Sequence, residues 1–472
     1  MRVPEMSQSV GPILYAQGSD AAATHLAALL ILPDDTAPPP LVPEGAAPVA
    51  AGRLAQDFGW TVWRYDFALP RRPGGVAYSL NGRDWQVQTE PEGDVRIAYT
   101  SCNGSEAEDP AQPDENRNAM WRHLAAQHAE SPLFLLLHGG DQLYADAVWS
   151  CHPLLADWDH EATASRQTPL SEEAIHAVRQ FYWQRYLTLF GHAEVAPLLA
   201  QVPSLMMWDD HDIFDGWGSH DETLQASPAW QAIYACAREA FHLFQLAGTL
   251  PADSASFSQV RRFGDWAVMA PDLRSERTPT SILGQQGWAN LTRDAATVAE
   301  CTRVLVMSSV PALGPRLSWV ERIMSVIPGA QRYEDDLRDQ WQSRAHRTEW
   351  QRFLGLLNGL HTPACRVTVV SGEIHLATRG EMAATAGTLH QLVASGIAHP
   401  PPPPSYPRAL GALAGFGEAP LPAHPIRLHP LPGRRQRYTA ERNYLILARD
   451  GGRWTAQWQT EHGGPTPWLD LN

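Results

Sequence analysis

The sequence predicts an α/β fold with a small β-sandwich in front of it, and three patterns predict it. Residues 1–94 hold short β-prone runs between Gly, Pro and Asp turns, residues 95–398 alternate helical stretches with apolar strand-like runs, and 436–472 read as a β-hairpin. In the N-terminal part the strand candidates are Ile13-Leu14-Tyr15, Ala27 to Leu32, Trp60 to Leu69 and Ala77 to Thr89, with a Pro-rich loop from Pro33 to Pro48. In the middle part the helical stretches are Asn116 to Ala129, Ser171 to Leu199, Pro228 to Leu246 and Arg344 to Leu360. Prolines concentrate from His399 onward, so 399–435 reads as a Pro-rich loop. Beyond it, Arg442 to Arg449 and Arg453 to Thr460 flank Asp450-Gly451-Gly452, a hairpin expected to pack on the middle domain.

Composition narrows the chemistry. The chain has 472 residues, 44% hydrophobic and 18% charged, which is globular and enough for a sizeable core. All 36 basic residues are Arg, and there is no Lys. That excludes a P-loop lysine, a kinase strand lysine, a Schiff base and a Ser-x-x-Lys hydrolase. Any anion has to be met by Arg, backbone amides or metal. The formal charge of −15 and the absence of Arg clusters larger than pairs such as Arg71-Arg72, Arg261-Arg262 and Arg434-Arg435 argue against a nucleic-acid platform. Five scattered cysteines without a C-x-x-C fit reduced thiols. No apolar run reaches membrane-spanning length, and Met1 to Gly18 carry no export signal, so a cytoplasmic location is expected.

The informative residues come directly after the apolar strands of the middle region. Val95 to Tyr99 runs into Ser101-Cys102-Asn103, and Leu133 to Leu137 into His138-Gly139-Gly140-Asp141-Gln142-Leu143-Tyr144-Ala145-Asp146. Ser204 to Met207 runs into Trp208-Asp209-Asp210-His211-Asp212, Val304 to Met307 into Ser308-Ser309-Val310-Pro311, and Val367 to Val370 into Ser371-Gly372-Glu373-Ile374-His375. Ligands of open α/β sheets sit beyond the carboxyl ends of the strands, so carboxylates, imidazoles and a thiol collect at one edge. That many anionic groups cannot stay ionised together without cations. A metal centre is the economical explanation, and Asp141, Asp209 or Asp210, and Glu373 with His375 together point to a binuclear metallohydrolase.

In this order, Ser101-Cys102, Gly140-Asp141-Gln142-Leu143-Tyr144, Trp208-Asp209-Asp210-His211-Asp212 and Ser371-Gly372-Glu373-Ile374-His375 resemble the PhoD-like (alkaline phosphatase D type) branch of the calcineurin-like metallophosphoesterases. Asp272-Leu273-Arg274-Ser275-Glu276-Arg277 is similar to that family's D-T-R-x-x-R segment, and Ser308-Ser309-Val310-Pro311 to its S-S-V-P turn. The resemblance covers roughly residues 95–395 and implies a metallophosphatase-type α/β/β/α sandwich, with the β-rich start similar to the family's N-terminal sandwich. It also implies a binuclear or larger centre, Fe3+ with Ca2+, while the carboxylates would equally suit Mn2+, Mg2+ or Zn2+. By position, Cys102 and Tyr144 would hold the iron and Asp141 would bridge. Asp210 stands at the Asn of G-N-H-[DE], His211 at its His, and His375 at the second His of G-H-x-H. Glu373 departs from the family, which has Asp in S-G-D-x-H, and the extra methylene bears on which metal is held.

Each position also has a plainer reading. Cys102 has the plainer reading of a buried thiol, Tyr144 of a packed aromatic and Asp141 of a helix cap, against which the ordered motif favours metal ligation. One acid of Asp209-Asp210-His211-Asp212 is expected to pair with an Arg such as Arg274, leaving Asp210 as the ligand. Arg274 and Arg277 either neutralise that local acidity or fork a phosphate. His138, His152, His192 and His220 read as packing or surface histidines.

The expected activity is hydrolysis of a small-molecule or lipid phosphate ester, mono- or diester, by hydroxide available near neutral pH on the metal. His211 would stabilise the transition state or protonate the leaving alkoxide, and Arg274 would neutralise the transferring group. The alternative is a phosphatase-like metal- or phospholipid-binding protein without turnover. A carbohydrate hydrolase using Asp141 and Asp210 is a third reading, which leaves Cys102, Tyr144 and His375 without a purpose.

Overall fold

Alternation along the apolar strands sets the layers of the middle region. Every second residue, including Ile97, Tyr99, Leu135, Leu137, Leu205, Met207, Val268, Leu305, Met307 and Val370, belongs to one buried cluster between two sheets. The residues in between face helices. Ala98, Leu136, Met206 and Ile446 pack with Trp121, Tyr182, Tyr186, Phe241 and Phe244 on one side, and Ala267, Met269, Val304, Val306, Val367 and Val369 with Leu291, Trp350, Phe353 and Leu357 on the other. The result is the α/β/β/α arrangement. Burial at this scale contributes roughly 1.5–3 kcal/mol for each large apolar side chain. The computed structural model describes residues 9–105, 113–156, 168–249, 256–314, 340–372, 375–403 and 405–472.

The first sheet runs Arg453–Thr460, Asn443–Asp450, Val95–Thr100, Leu135–Gly139 and Ser204–Met207 in space, the last three parallel. The second runs Gln259–Phe263, Trp266–Ala270, Arg303–Ser308, Arg366–Ser371 and Gly387–Val393, with the last four parallel. Strand Val10–Ser19 touches both, pairing Tyr15 with Ser204 and Ser19 with Phe263. Parallel strands put their carboxyl ends on one edge, and there the loops of chemical interest meet.

The N-terminal region forms the expected β-structure. Strands Val10–Ser19, Ala23–Pro33, Trp60–Pro70 and Gly52–Asp57 pair antiparallel in that order. Val42–Pro43, Val76–Leu80 and Arg83–Val87 form a second, three-stranded sheet. Leu14, Leu26, Leu30, Tyr65, Phe67, Tyr78 and Val87 form the core of this region.

Two segments differ from the sequence expectation. The long helical stretch Ser171 to Leu199 divides into Glu172–Gly191 and Ala196–Leu199, because His192 is extended (ψ 132°) and Pro197 suits only a helix's first turn. Within 399–435, expected as a Pro-rich loop, the chain forms helix Ser405–Leu413 and a hairpin of Glu418–Leu421 with His424–His429, the latter pairing with Thr378–Ala384. Pro407 falls in the helix's first turn, where its missing N–H is tolerated, Pro420 and Pro425 lie in the hairpin strands, and Leu410, Ile426 and Leu428 are buried. The C-terminal hairpin turns at Gly451 and Gly452, whose φ values of 53° and 87° suit the primed turn that matches strand twist.

Candidate metal centre

The strand-end loops are stitched to one another by main-chain bonds. Cys102 N donates to Gly140 O at 3.2 Å, Asn103 N to Asp141 O at 2.8 Å, and Ala145 N to His211 O at 2.9 Å. Gly140 makes the approach possible: its φ is 106°, and a Cβ there would lie 2.7 Å from the Cβ of Asp209. Backbone strain concentrates at the expected ligands. Among the described residues seven non-glycine positions have positive φ, and three of them are Cys102 (51°), Asp141 (55°) and His375 (50°). Such conformations cost of order 1–3 kcal/mol each, and persist where surrounding structure imposes them.

Asp141 is 2% exposed and has its Oδ2 3.3 Å from the Cys102 sulfur, while its buried Oδ1 has no hydrogen-bond partner among the described residues. Burial, and then the charges of Asp209 and Asp210, push its carboxyl well above the usual carboxylate range. Burial and the neighbouring Asp141 push the Cys102 thiol up likewise. Asp141, Asp209 and Asp210 can bring one oxygen each within 4.8 Å of the others, as can Asp210, His211 and Asp215 with one ligand atom each. An uncompensated buried oxygen amid converging carboxylates is the arrangement a cation relieves, and the residues fit one.

The remaining acids have assigned partners. Asp209, 1% exposed, accepts Arg274 Nε in a buried ion pair, and Arg274 Nη2 lies 3.6 Å from Asp210 Oδ1. Asp212 is fully buried and accepts Leu143 N at 3.0 Å, Asp209 N at 3.0 Å and Gln245 Nε2 at 2.9 Å, tying two loops to a helix end. Burial pushes its carboxyl up to about 7 despite those donors. Asp210 Oδ2 accepts Gly216 N at 2.9 Å, and its side chain keeps 13% exposure.

Rings line the other side. Tyr144 stacks on His211 with centroids 4.2 Å apart, and its hydroxyl is 3.1 Å from His375 Nε2. His211 Nδ1 is 3.1 Å from Asp146 Oδ2, a carboxylate that also accepts Asp215 N at 2.7 Å. Burial alone would lower the His211 pKa, but Asp146 and Asp210 raise it well above the ordinary imidazole value.

Cys102, Asp141, Tyr144, Asp210, His211 and His375 therefore come together at one edge, whereas Glu373 lies outside the described residues. The sequence leaves Arg274 and Arg277 either to neutralise the local acidity or to fork a phosphate. Both are fully buried, with Arg274 committed to Asp209, Asp210 and the Trp217 carbonyl (3.1 Å) and the Arg277 stem packed against Gly218. The acid surplus in the Asp-Asp-His-Asp turn draws the nearest guanidinium inward. His138 is a packed histidine, bonded to Gln142 at 2.9 Å and Ser204 at 3.1 Å, with burial lowering it to about 4.

Sequence reasoning left out Asp146, Asp215, Arg185, Ser395 and His399. Arg185 donates to the Tyr144 carbonyl at 2.8 Å from a helix more than forty residues onward. His399 is 5% exposed, stacks on His375 at 3.4 Å and donates its backbone N–H to the Cys102 carbonyl at 3.2 Å. The only available signal for it was a strand, Gly387–Val393, whose parallel pairing aims its C-terminal loop at the same edge.

Comparison with known proteins bears on the family resemblance and the fold. A family model described as PhoD related phosphatase matches residues 105–333. An uncharacterized protein of Saccharomyces cerevisiae is 23% identical over 416 residues, covering 72% of this chain and 59% of the yeast protein. The chain thus spans less than two thirds of that relative's length. The solved structure of PhoD superposes with a TM-score of 0.59 at 13% identity, over 98% of this chain and 89% of that one, which shows the same fold. No helix among the described residues is long and apolar enough to cross a membrane.

Proposed function

We propose that this chain, which is PhoD-like, is a metal-dependent hydrolase of phosphoric esters, acting on small-molecule monoesters or diesters. The observation that carries the reading is Asp141, whose buried Oδ1 lacks a partner among the described residues and whose other oxygen adjoins the Cys102 sulfur. Cys102, Asp141, Tyr144, Asp210 and His375 would hold the metals, with Glu373 added by the motif resemblance. Thiolate and phenolate donors suit Fe3+, and the carboxylates suit Ca2+ or another hard cation. Bound there, the metals would supply an activated hydroxide and polarise the phosphoryl oxygens.

The chain's own groups do the rest. Asp146 fixes the His211 ring through Nδ1, leaving Nε2 to face the site beside Asp215, 3.9 Å away. The Asp146 carboxylate at Nδ1 favours the protonated ring, which places Nε2 to deliver a proton to the leaving oxygen. Arg274 holds Asp209 and Asp210 in place, a positioning part that replaces the phosphate clamp expected from the motif.

His211→Ala should leave the metal content unchanged and lower kcat by about 10^2- to 10^4-fold, the usual size of a general-acid contribution. A metal-free His211→Ala protein in elemental analysis would contradict that assignment. The whole reading is tested by offering chromogenic phosphate mono- and diesters with Mg2+, Mn2+, Ca2+ and Zn2+ in turn. Turnover that a chelator removes is expected. Metal retention with no turnover above buffer would instead make the chain a binding protein.

A further inference from the structure

We propose that Ser395 is a positioning residue of the centre, its hydroxyl donating to the Cys102 sulfur while accepting the His375 backbone N–H, so that one side chain sets two ligands; this rests on the reading of Cys102 as a metal-ligating thiolate. Ser395 is fully buried in the loop after strand Gly387–Val393. Its Oγ is 3.1 Å from Cys102 Sγ and 3.1 Å from His375 N. The direction of each bond comes from the atoms. A backbone N–H can only donate, so Oγ accepts from His375 and its own proton is left for the sulfur. Asp141, 3.3 Å from the same sulfur, offers only acceptors once it is ionised.

The loop is held so that this geometry does not drift. Ala394 N donates to Ser371 O at 3.0 Å, continuing the parallel register one residue past the strand ends. Ser101 Oγ donates to Ala394 O at 3.1 Å, Ile397 N returns to Ser101 O at 3.1 Å, and Asn443 Nδ2 donates to the Ser395 carbonyl at 2.7 Å. Ser395 is thereby fixed between the Cys102 loop and the His375 turn, both of which sit in left-handed backbone.

A hydrogen bond to a ligating thiolate withdraws electron density from sulfur and orients its lone pairs, and outer-shell partners of this kind are typically worth about 10- to 100-fold in metal affinity. Loss of the hydroxyl also leaves the His375 N–H without its acceptor, loosening the turn that presents the ring.

The test uses the full chain stripped with chelator and reloaded with Co2+, read by the thiolate-to-metal absorption band and by competition against a coloured chelator. Cys102→Ser should lose the band. Ser395→Ala should keep it at lower energy and weaken Co2+ binding about 10- to 100-fold. Ser395→Thr and Ser395→Val, nearly equal in volume, separate the hydroxyl from packing: Thr should restore the wild-type band and affinity, and Val should behave as Ala. If Val matches Thr, or Ala matches wild type while Cys102→Ser loses the band, the proposal is overturned and the ligand reading stands. If Cys102→Ser keeps the full band, the ligand reading falls and this proposal falls with it.

Discussion

Asp141→Asn should abolish metal binding and lower kcat/KM by about 10^3-fold or more, at least roughly 4 kcal/mol of transition-state stabilisation. The same substitution should make the metal-free protein more stable. The reason is the cost of the wild-type site without cations: burial and the adjoining Asp209 and Asp210 push the Asp141 carboxyl well above its ordinary range, so folding without metal has to protonate that carboxyl or bury its charge, a cost a neutral amide avoids. Asn also tolerates the left-handed backbone at φ 55°, so the loop itself should persist. Thermal unfolding of chelator-treated proteins should show Asp141→Asn melting above wild type, with added metal raising only the wild type. A variant that keeps its metal, or that melts lower when metal-free, would show that Asp141 holds the loop and not the ion.

Arg274→Ala should be the most destabilising single substitution in the site, costing about 3–5 kcal/mol, because it strands the buried Asp209 carboxylate. Arg274 and Asp209 are 0% and 1% exposed at the side chain, so the carboxylate loses its charge partner away from bulk solvent. Adding Asp209→Asn should return most of the loss, since the stranded charge is gone; denaturant unfolding of both singles and the double variant measures that coupling. This separates the two roles open to the motif arginine. A group that only met substrate phosphate would leave stability near wild type and raise KM, and Asp209→Asn would recover nothing.

The layers were legible because alternation is a local property. Ser204 to Met207 is a strand with those bounds, and the apolar runs before Ser101, Asp141, Ser308 and Ser371 are strands within about two residues. Their shared edge came from parallel order alone. Partner choice was not legible in the same way. The acid surplus suggests that one acid of the turn pairs with Arg274 and leaves Asp210 as the ligand, but the contact itself depends on residues 272–277 folding back across Trp217, which no sequence spacing signals. Asp146 stood within the Gly140 to Asp146 run, yet its role appears only when the His211 turn packs on that loop. Ser395 and His399 were hidden for a different reason. Both lie in the loop after strand Gly387–Val393, a strand the sequence reading does not single out, and Thr368↔His390 through Ser371↔Val393 registers it beside the strand that leads into the His375 turn. Local propensity identified elements, and tertiary pairing decided which polar groups they confront.

Lysine's absence has a structural counterpart in this arrangement. With no lysine in the chain, the buried Asp209 takes Arg274, and Asp141 keeps an oxygen unmatched by any described side chain. The positive charge that oxygen lacks is the charge a bound metal would bring. Elemental analysis of the protein as purified, before and after Asp141→Asn, is the decisive experiment. At least two metal equivalents per chain, iron together with calcium or another divalent ion, should be present in wild type and lost in the variant. Ester turnover by a chelator-treated wild-type chain that contains no metal would contradict the metal-centred reading outright.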